Sequence, residues 1–206
     1  MTQLSIAAFI AAARSGRLVS FPTDTVPALA ARPDQSSQIF AAKQRPADKP
    51  LILMAAHAQM LWPFVQGTNS EKHHWQQMAE AYWPGALTLV LPASDRLPSV
   101  MNPLNPHSIG VRVPNSVFAQ MILQQTGPLA TTSVNRSGQP ALTTLETINQ
   151  SFPQVLTPLA HQWPSPGGAD SIPSTVIKWT GPGWDVLRPG AIQLEPGDSM
   201  DDSAIE

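Results

Sequence analysis

The sequence predicts an α/β fold: a single domain built on a twisted mixed β-sheet flanked by helices. Three observations predict it. Short apolar, β-branched runs alternate along the chain with stretches of helical spacing, the pattern of interleaved strands and helices. No linker-like segment divides the 206 residues, and a chain of this length hides roughly 70% of its unfolded surface in one core. The 22 prolines, about twice ordinary usage, fall mostly where an element should end, so they punctuate a fold instead of filling a disordered tract.

The elements follow in order. Residues 4–14 are Ala-rich with helical spacing, and Gly16 can stop that helix. Residues 18–21 read as a short buried strand running into a hydroxyl-rich loop, Pro22-Thr23-Asp24-Thr25. Ser36 or Ser37 can cap a helix through Ile39, Phe40 and Ala41 to Lys43, with Pro46 ending it. Residues 51–55 form a strand, followed by helical patches at 58–64 and 70–82 and a turn at Trp83-Pro84-Gly85. Residues 87–91 are a strand, 96–106 a Pro/Asn loop, and 109–114 a strand carrying one cation, Arg112. Asn115 caps the next helix, which Gly127 closes. Residues 129–132 form a strand delivering Ser133 and Asn135 at its end, and Thr143-Thr144-Leu145-Glu146 offers a capping box. A Pro/Gly loop at 162–170 precedes strands at 174–179 and 184–188, joined by Gly-Pro-Gly. Residues 1–195 make the domain; 196–206 form a loose acidic tail.

Composition excludes several classes. There are no cysteines, so disulfides and thiolate metal sites are impossible, and a reducing cytoplasm is the expected location. No apolar run reaches the roughly 18 residues of a membrane span, and the first residues lack the basic start of a signal peptide. The five histidines form no i,i+4 pair, so no metal site of the chain's own is predicted. Net charge is −2, which is not the bulk signature of a nucleic-acid binder; a tRNA or double-stranded RNA could meet only a local basic patch. Gly-x-x-x-x-Gly-Lys-Ser/Thr, Gly-x-Gly-x-x-Gly and Gly-x-Ser-x-Gly are all missing.

Only 13% of the residues are charged, against about 25% in ordinary domains. Yet Lys43, Arg45 and Lys49 fall inside seven positions, a cluster suited to an anion. Lysine supplies a compact point charge and arginine a planar fork for two phosphate oxygens. Ser133, Asn135 and the Ser137-Gly138 pair make a small polar loop that can approach a phosphate closely. Each feature also has a plainer reading. Cations at a helix C-terminus offset its dipole, Ser and Asn form turns, Thr23-Asp24-Thr25 can satisfy backbone donors, and Arg112 and Arg188 can be strand cations.

Taken together, the segments resemble the YrdC-like threonylcarbamoyl-AMP synthases, in their short, single-domain form. The matching motifs, in order, are Pro22-Thr23-Asp24-Thr25-Val26, Lys43-Gln44-Arg45-Pro46 with Lys49-Pro50-Leu51, Trp83-Pro84-Gly85-Ala86-Leu87-Thr88 and Val111-Arg112-Val113-Pro114. Thr132-Ser133-Val134-Asn135-Arg136-Ser137-Gly138, Ser174-Thr175-Val176 and Arg188-Pro189-Gly190 complete them. The resemblance spans about residues 4–192 and implies a YrdC-like catalytic domain. It implies a nucleotidyltransferase acting on ATP (with Mg²⁺), L-threonine and bicarbonate, which feeds proteins that transfer threonylcarbamoyl to tRNA. By the same resemblance, Lys43, Arg45, Ser133 and Asn135 are catalytic and bind ATP, with Lys49 and Arg188 as further ATP contacts. Thr25, Arg112 and Ser174 would bind threonine. A non-catalytic RNA- or nucleotide-binding protein is the alternative. The chain departs from the family's Val-Tyr-Gly-Leu with Val26-Pro27-Ala28-Leu29: Pro27 removes a backbone donor, and Ala28 confines φ to negative values where glycine would be free.

Overall fold

The computed structural model describes residues 2–164 and 172–194. In chain order, β1 (Gln3–Leu4) leads into α1 (Ile6–Arg14), with Ser5 as N-cap accepting from the Ala8 N–H. β2 (Val19–Phe21), β3 (Ala28–Ala31) and α2 (Ser37–Lys43) follow, then β4 (Ile52–Met54), α3 (Asn69–Tyr82) and β5 (Leu87–Pro92). The remainder is β6 (Ser108–Arg112), α4 (Val117–Thr126), β7 (Leu129–Ser133), α5 (Leu145–Ser151), β8 (Thr157–Pro158), β9 (Thr175–Trp179) and β10 (Trp184–Arg188). Eight strands make one sheet in the order β10-β9-β5-β6-β4-β7-β3-β2, while β1 and β8 pair apart from it. The sheet is mixed: β5–β9 and β4–β6 are parallel and the other pairs antiparallel.

Alternation along the strands divides the sheet's two faces. Leu87, Leu89 and Leu91 of β5, Ile109 and Val111 of β6, Leu53 of β4 and Ile177 of β9 join one apolar core. The helices α2, α3 and α5 close that face with Ile39, Trp75, Met78 and Ile148. On the opposite face a smaller core gathers Ala28, Ala30, Met54 and Leu129 under α1 and α4, through Phe9, Ile10, Ile122 and Leu123. The two helices cover the β2-β3-β7 end of this face and reach Met54 at the end of β4. The rest of it is open, and that opening becomes the site.

Several local expectations are corrected. Residue 4 belongs to β1, not to the first helix, and β1, β3 and β8 were not anticipated. The end of α2 is set by Gln44, left-handed at φ 52°, ahead of Pro46. The Ser36 side chain makes no cap bond. Residues 58–64 form two 3-10 turns, because Pro63 interrupts a continuous helix. A true capping box, Thr68 with Glu71, starts α3. Ser116, not Asn115, caps α4, and Thr144 caps α5 through the Thr147 N–H, so Glu146 closes no box. The expected tail lies outside the described residues, as does most of the Pro/Gly loop after Gln162. Trp75, Trp179 and Trp184 pack edge to face in the core.

Candidate active site

The open part of the sheet is the floor of a cleft of about 710 Å³. Its floor residues are the alternates of the core residues: Thr88 and Val90 on β5, Gly110 and Arg112 on β6, Ile52 on β4, Val176 on β9. A period-2 pattern thus builds the core with one set and the cleft with the other. Gly110 sits at the centre, where a Cβ would press on Thr88 and Ile52 at 3.2 and 3.3 Å. The loop between β2 and β3 arches over this floor, bringing Thr23, Thr25 and Val26 into the lining.

Of the nine residues singled out from the sequence, seven line this cleft: Thr25, Arg45, Arg112, Ser133, Asn135, Ser174 and Arg188. Lys43 and Lys49 do not. Lys43 is 1% exposed and lies behind the lining. Its Nζ donates to the Ser133 carbonyl and to Asn135 Oδ1 (2.8 Å). The Ser133 hydroxyl donates to the same Oδ1 at 2.6 Å. Burial, then the like charge of Arg45, pulls the Lys43 ammonium from its ordinary 10.5 down to about 7. The helix-dipole reading is therefore incomplete: Lys43 ends α2 but turns inward to the loop after β7. That loop is fixed to α2 twice more, by Ser137 N–H donating to the Lys43 carbonyl and Arg136 Nη1 donating to the Ala42 carbonyl.

Arg45 spends two donors on its own loop, Nε to the Lys49 carbonyl (2.8 Å) and Nη2 to the Pro50 carbonyl (3.0 Å). The fork is held in place while its other edge stays available. Burial lowers its pKa, opposed by the neighbouring Asp48 carboxylate. Lys49 contributes its carbonyl, and its side chain is exposed away from the cleft lining.

At the end of β6, Arg112 is 4% exposed and almost fully engaged. Nε donates to the Gly85 carbonyl, Nη1 to Thr25 Oγ1 (2.9 Å) and Nη2 to Asp24 Oδ1 (2.7 Å). The Trp-Pro-Gly turn thus has a purpose at the site. Gly85 must be glycine, because a Cβ would strike the Tyr82 carbonyl, and its own carbonyl orients Arg112. Burial lowers the Arg112 pKa and the Asp24 carboxylate opposes this. Near Arg112, Arg188 grips the Ser174 carbonyl through Nε (3.3 Å) and Nη2 (2.7 Å), and Nη2 also reaches Ser174 Oγ. Ser174 Oγ and Thr88 Oγ1 share a buried hydrogen bond of 2.9 Å. Gly190 permits this arrangement, since a Cβ there would collide with the Pro173 carbonyl and the Ser174–Thr175 peptide.

Three contributors were not found in the sequence. Asp24 pairs with Arg112 from 88 positions away, Thr88 holds Ser174, and Asn102 sits in the lining at 4% exposure. Strand alternation could have found Thr88; long-range pairing leaves no local trace. The Pro27-Ala28 wall does line the cleft, and Ala28 needs no positive φ there. Ala28 begins β3, extended, opposite Phe21 and Ser133, and Gln44 is the one non-glycine with positive φ among the described residues. The Pro27 carbonyl accepts from the Val134 N–H. Three cations (Arg45, Arg112, Arg188), with Lys43 behind the lining, thus meet around a floor of hydroxyls and apolar groups. Such a site can hold a polyanion and a small polar molecule side by side.

A family model, Sua5/YciO/YrdC, described as telomere recombination, matches residues 11–190. The chain is 33% identical over 186 residues to a threonylcarbamoyl-AMP synthase of Pyrococcus abyssi, covering 88% of this chain and 53% of that protein. A threonylcarbamoyl-AMP synthase of Vibrio vulnificus is 35% identical over 147 residues, 69% of this chain and 78% of the relative. The chain therefore spans about half the length of the Pyrococcus relative and most of the Vibrio one. Among solved structures, P. abyssi Sua5 complexed with L-threonine superposes with a TM-score of 0.77 at 32% identity, covering 90% of this chain and 54% of that one. Escherichia coli YciO shares the fold, with a TM-score of 0.78 at 24% identity over 93% of this chain and 91% of that one.

Proposed function

The chain belongs to the Sua5/YciO/YrdC family, and on that premise we propose that it is an L-threonylcarbamoyladenylate synthase. It would form threonylcarbamoyl-AMP and pyrophosphate from MgATP, L-threonine and bicarbonate. The observation that carries this reading is the convergence of Arg45, Arg112, Ser133, Asn135, Ser174 and Arg188, from separate segments, on one cleft.

In the proposed reaction bicarbonate takes up a proton and loses water to give carbon dioxide, to which the threonine amine adds with loss of a proton, giving a carbamate. A carbamate oxygen then attacks the α-phosphorus of ATP. The bond from that phosphorus to the α,β-bridging oxygen breaks, and its electron pair leaves with pyrophosphate. No covalent nucleophile of the protein is needed; catalysis is positioning plus neutralisation of phosphate charge. Arg45 and Arg188 bind phosphate oxygens. Ser133 and Asn135, with Lys43 behind them, face the α-phosphate. Thr25, Arg112 and Ser174 hold threonine. Asp24 offsets the charge on Arg112, so Arg112 offers the substrate carboxylate oriented donors and Arg188 supplies the net positive charge of that corner.

Magnesium enters with the nucleotide. Among the described residues no group of three or more His, Cys, Asp or Glu could hold it, and triphosphate oxygens with water suit its preference. The product would pass, in the cytoplasm, to proteins that modify an adenosine beside the tRNA anticodon. The test is product formation by Lys43→Ala and Arg45→Ala. Loss of product with an intact circular-dichroism spectrum supports the reading, and unchanged turnover in both variants removes the site assignment.

A further inference from the structure

Asn102, in the loop before β6, is a nearly buried polar side chain of the cleft that the proposed chemistry leaves unused. It is 4% exposed and lines the cleft. Its Nδ2 donates to the Ser108 carbonyl at 3.0 Å and to the Ser108 hydroxyl at 3.3 Å. A carbonyl can only accept, so the amide cannot be turned round: Nδ2 faces β6 and Oδ1 faces away. Oδ1 has no hydrogen-bond partner among the described residues, yet it is not sealed off with the buried unpaired atoms. A nearly buried amide with one half tied and the other open to a cleft is suited to a donor that arrives with a ligand.

Its surroundings say what kind of ligand. Asn102 is tied to Ser108, at the opposite end of β6 from Arg112, which is roughly 13 Å away at strand rise. Pro50, Leu51, Leu104 and Ile109 line the same end. Leu51 is brought there by its N–H donating to the Met101 carbonyl at 3.1 Å. Leu104 stands at 69% exposure, a large apolar side chain left in water beside the cleft. Apolar surfaces flanking one fixed acceptor fit a flat heteroaromatic ring that carries an amine at its edge.

We propose that Asn102 Oδ1 selects the nucleobase, accepting from the exocyclic amine of a 6-aminopurine and rejecting a 6-oxopurine. The proposal rests on the cleft being a nucleotide site and names the residue that sets its base preference. A site built to bond a substrate N–H discriminates strongly against analogues without one, because its own buried group is left unpaired.

The test is calorimetric binding of three magnesium nucleotides to the full chain: ATP, ITP and purine riboside triphosphate, which lacks the amine. Wild type is expected to bind ATP at least roughly ten-fold tighter than either analogue, with ITP the weakest, since its 6-oxygen opposes Oδ1. In Asn102→Ala the three affinities are expected to fall within about two-fold of one another. An Asn102→Ala protein that keeps the full ATP preference, with all three weakened alike, overturns the proposal and leaves Asn102 as a loop tie. Wild type that binds ATP without preference overturns it too, while leaving the synthase reading standing. Wild type that binds none of the three overturns both. A wild-type series without preference overturns the proposal even if the variant fails to fold.

Discussion

Replacing Lys43 by methionine tests the buried ammonium directly. The amine sits at 1% exposure with two oxygen acceptors and no carboxylate among its hydrogen-bonding partners. Its pKa falls from 10.5 unfolded to about 7 folded, so the charged form is disfavoured by about 5 kcal/mol. The sign follows from proton counts. Between pH 7 and 10.5 the unfolded chain holds a proton that the folded one has released, so stability rises with pH across that window, by at most roughly 1.4 kcal/mol per unit. Below pH 7 the whole penalty is present. Methionine removes it, at a cost of about 1–3 kcal/mol for the Ser133 carbonyl left without its donor; Asn135 Oδ1 keeps the Ser133 hydroxyl. Lys43→Met is therefore expected to be about 2–4 kcal/mol more stable than wild type at pH 6, with the gap closing by pH 9. Urea unfolding of both proteins from pH 6 to 9.5 measures it. Parallel stability curves, or a gap that widens with pH, would refute the reasoning.

Three further outcomes are expected. MgATP binding at pH 8 takes up protons, because bound phosphates raise the pKa of Lys43; calorimetry in buffers of different ionisation enthalpy reads the number, and zero uptake contradicts the assignment. Asp24→Ala leaves the buried Arg112 charge uncompensated and costs about 3–5 kcal/mol in urea unfolding, with a raised KM for threonine. Gly190→Ala drives a Cβ into the peptide that carries Ser174, lowering stability by about 2–4 kcal/mol and weakening ATP and threonine together; a variant of wild-type Tm would contradict the close approach.

Much of the sheet was legible because β5, β6, β7, β9 and β10 are β-branched or leucine-rich and end in turn residues. β3 was not, because Ala28-Leu29-Ala30-Ala31 has no β preference; its strand state comes from pairing with β2 and β7 on both sides. The same limit governed the site. Arg45, Arg112, Ser133, Asn135, Ser174 and Arg188 could be named from motifs, and the fold brings them to one cleft. Which of them face it could not be read. Lys43 and Arg45 are two positions apart in similar local sequence, yet the left-handed turn at Gln44 sends one behind the wall and the other into the lining. Local sequence also carries no record of partners such as Asp24 for Arg112 or Ser108 for Asn102, which are set by strand order and loop closure.

Pyrophosphate release from MgATP and bicarbonate, with and without L-threonine, tests the central claim most directly. The account predicts release that depends on threonine. Folded protein that binds ATP yet releases no pyrophosphate, or releases it equally without threonine, would contradict it.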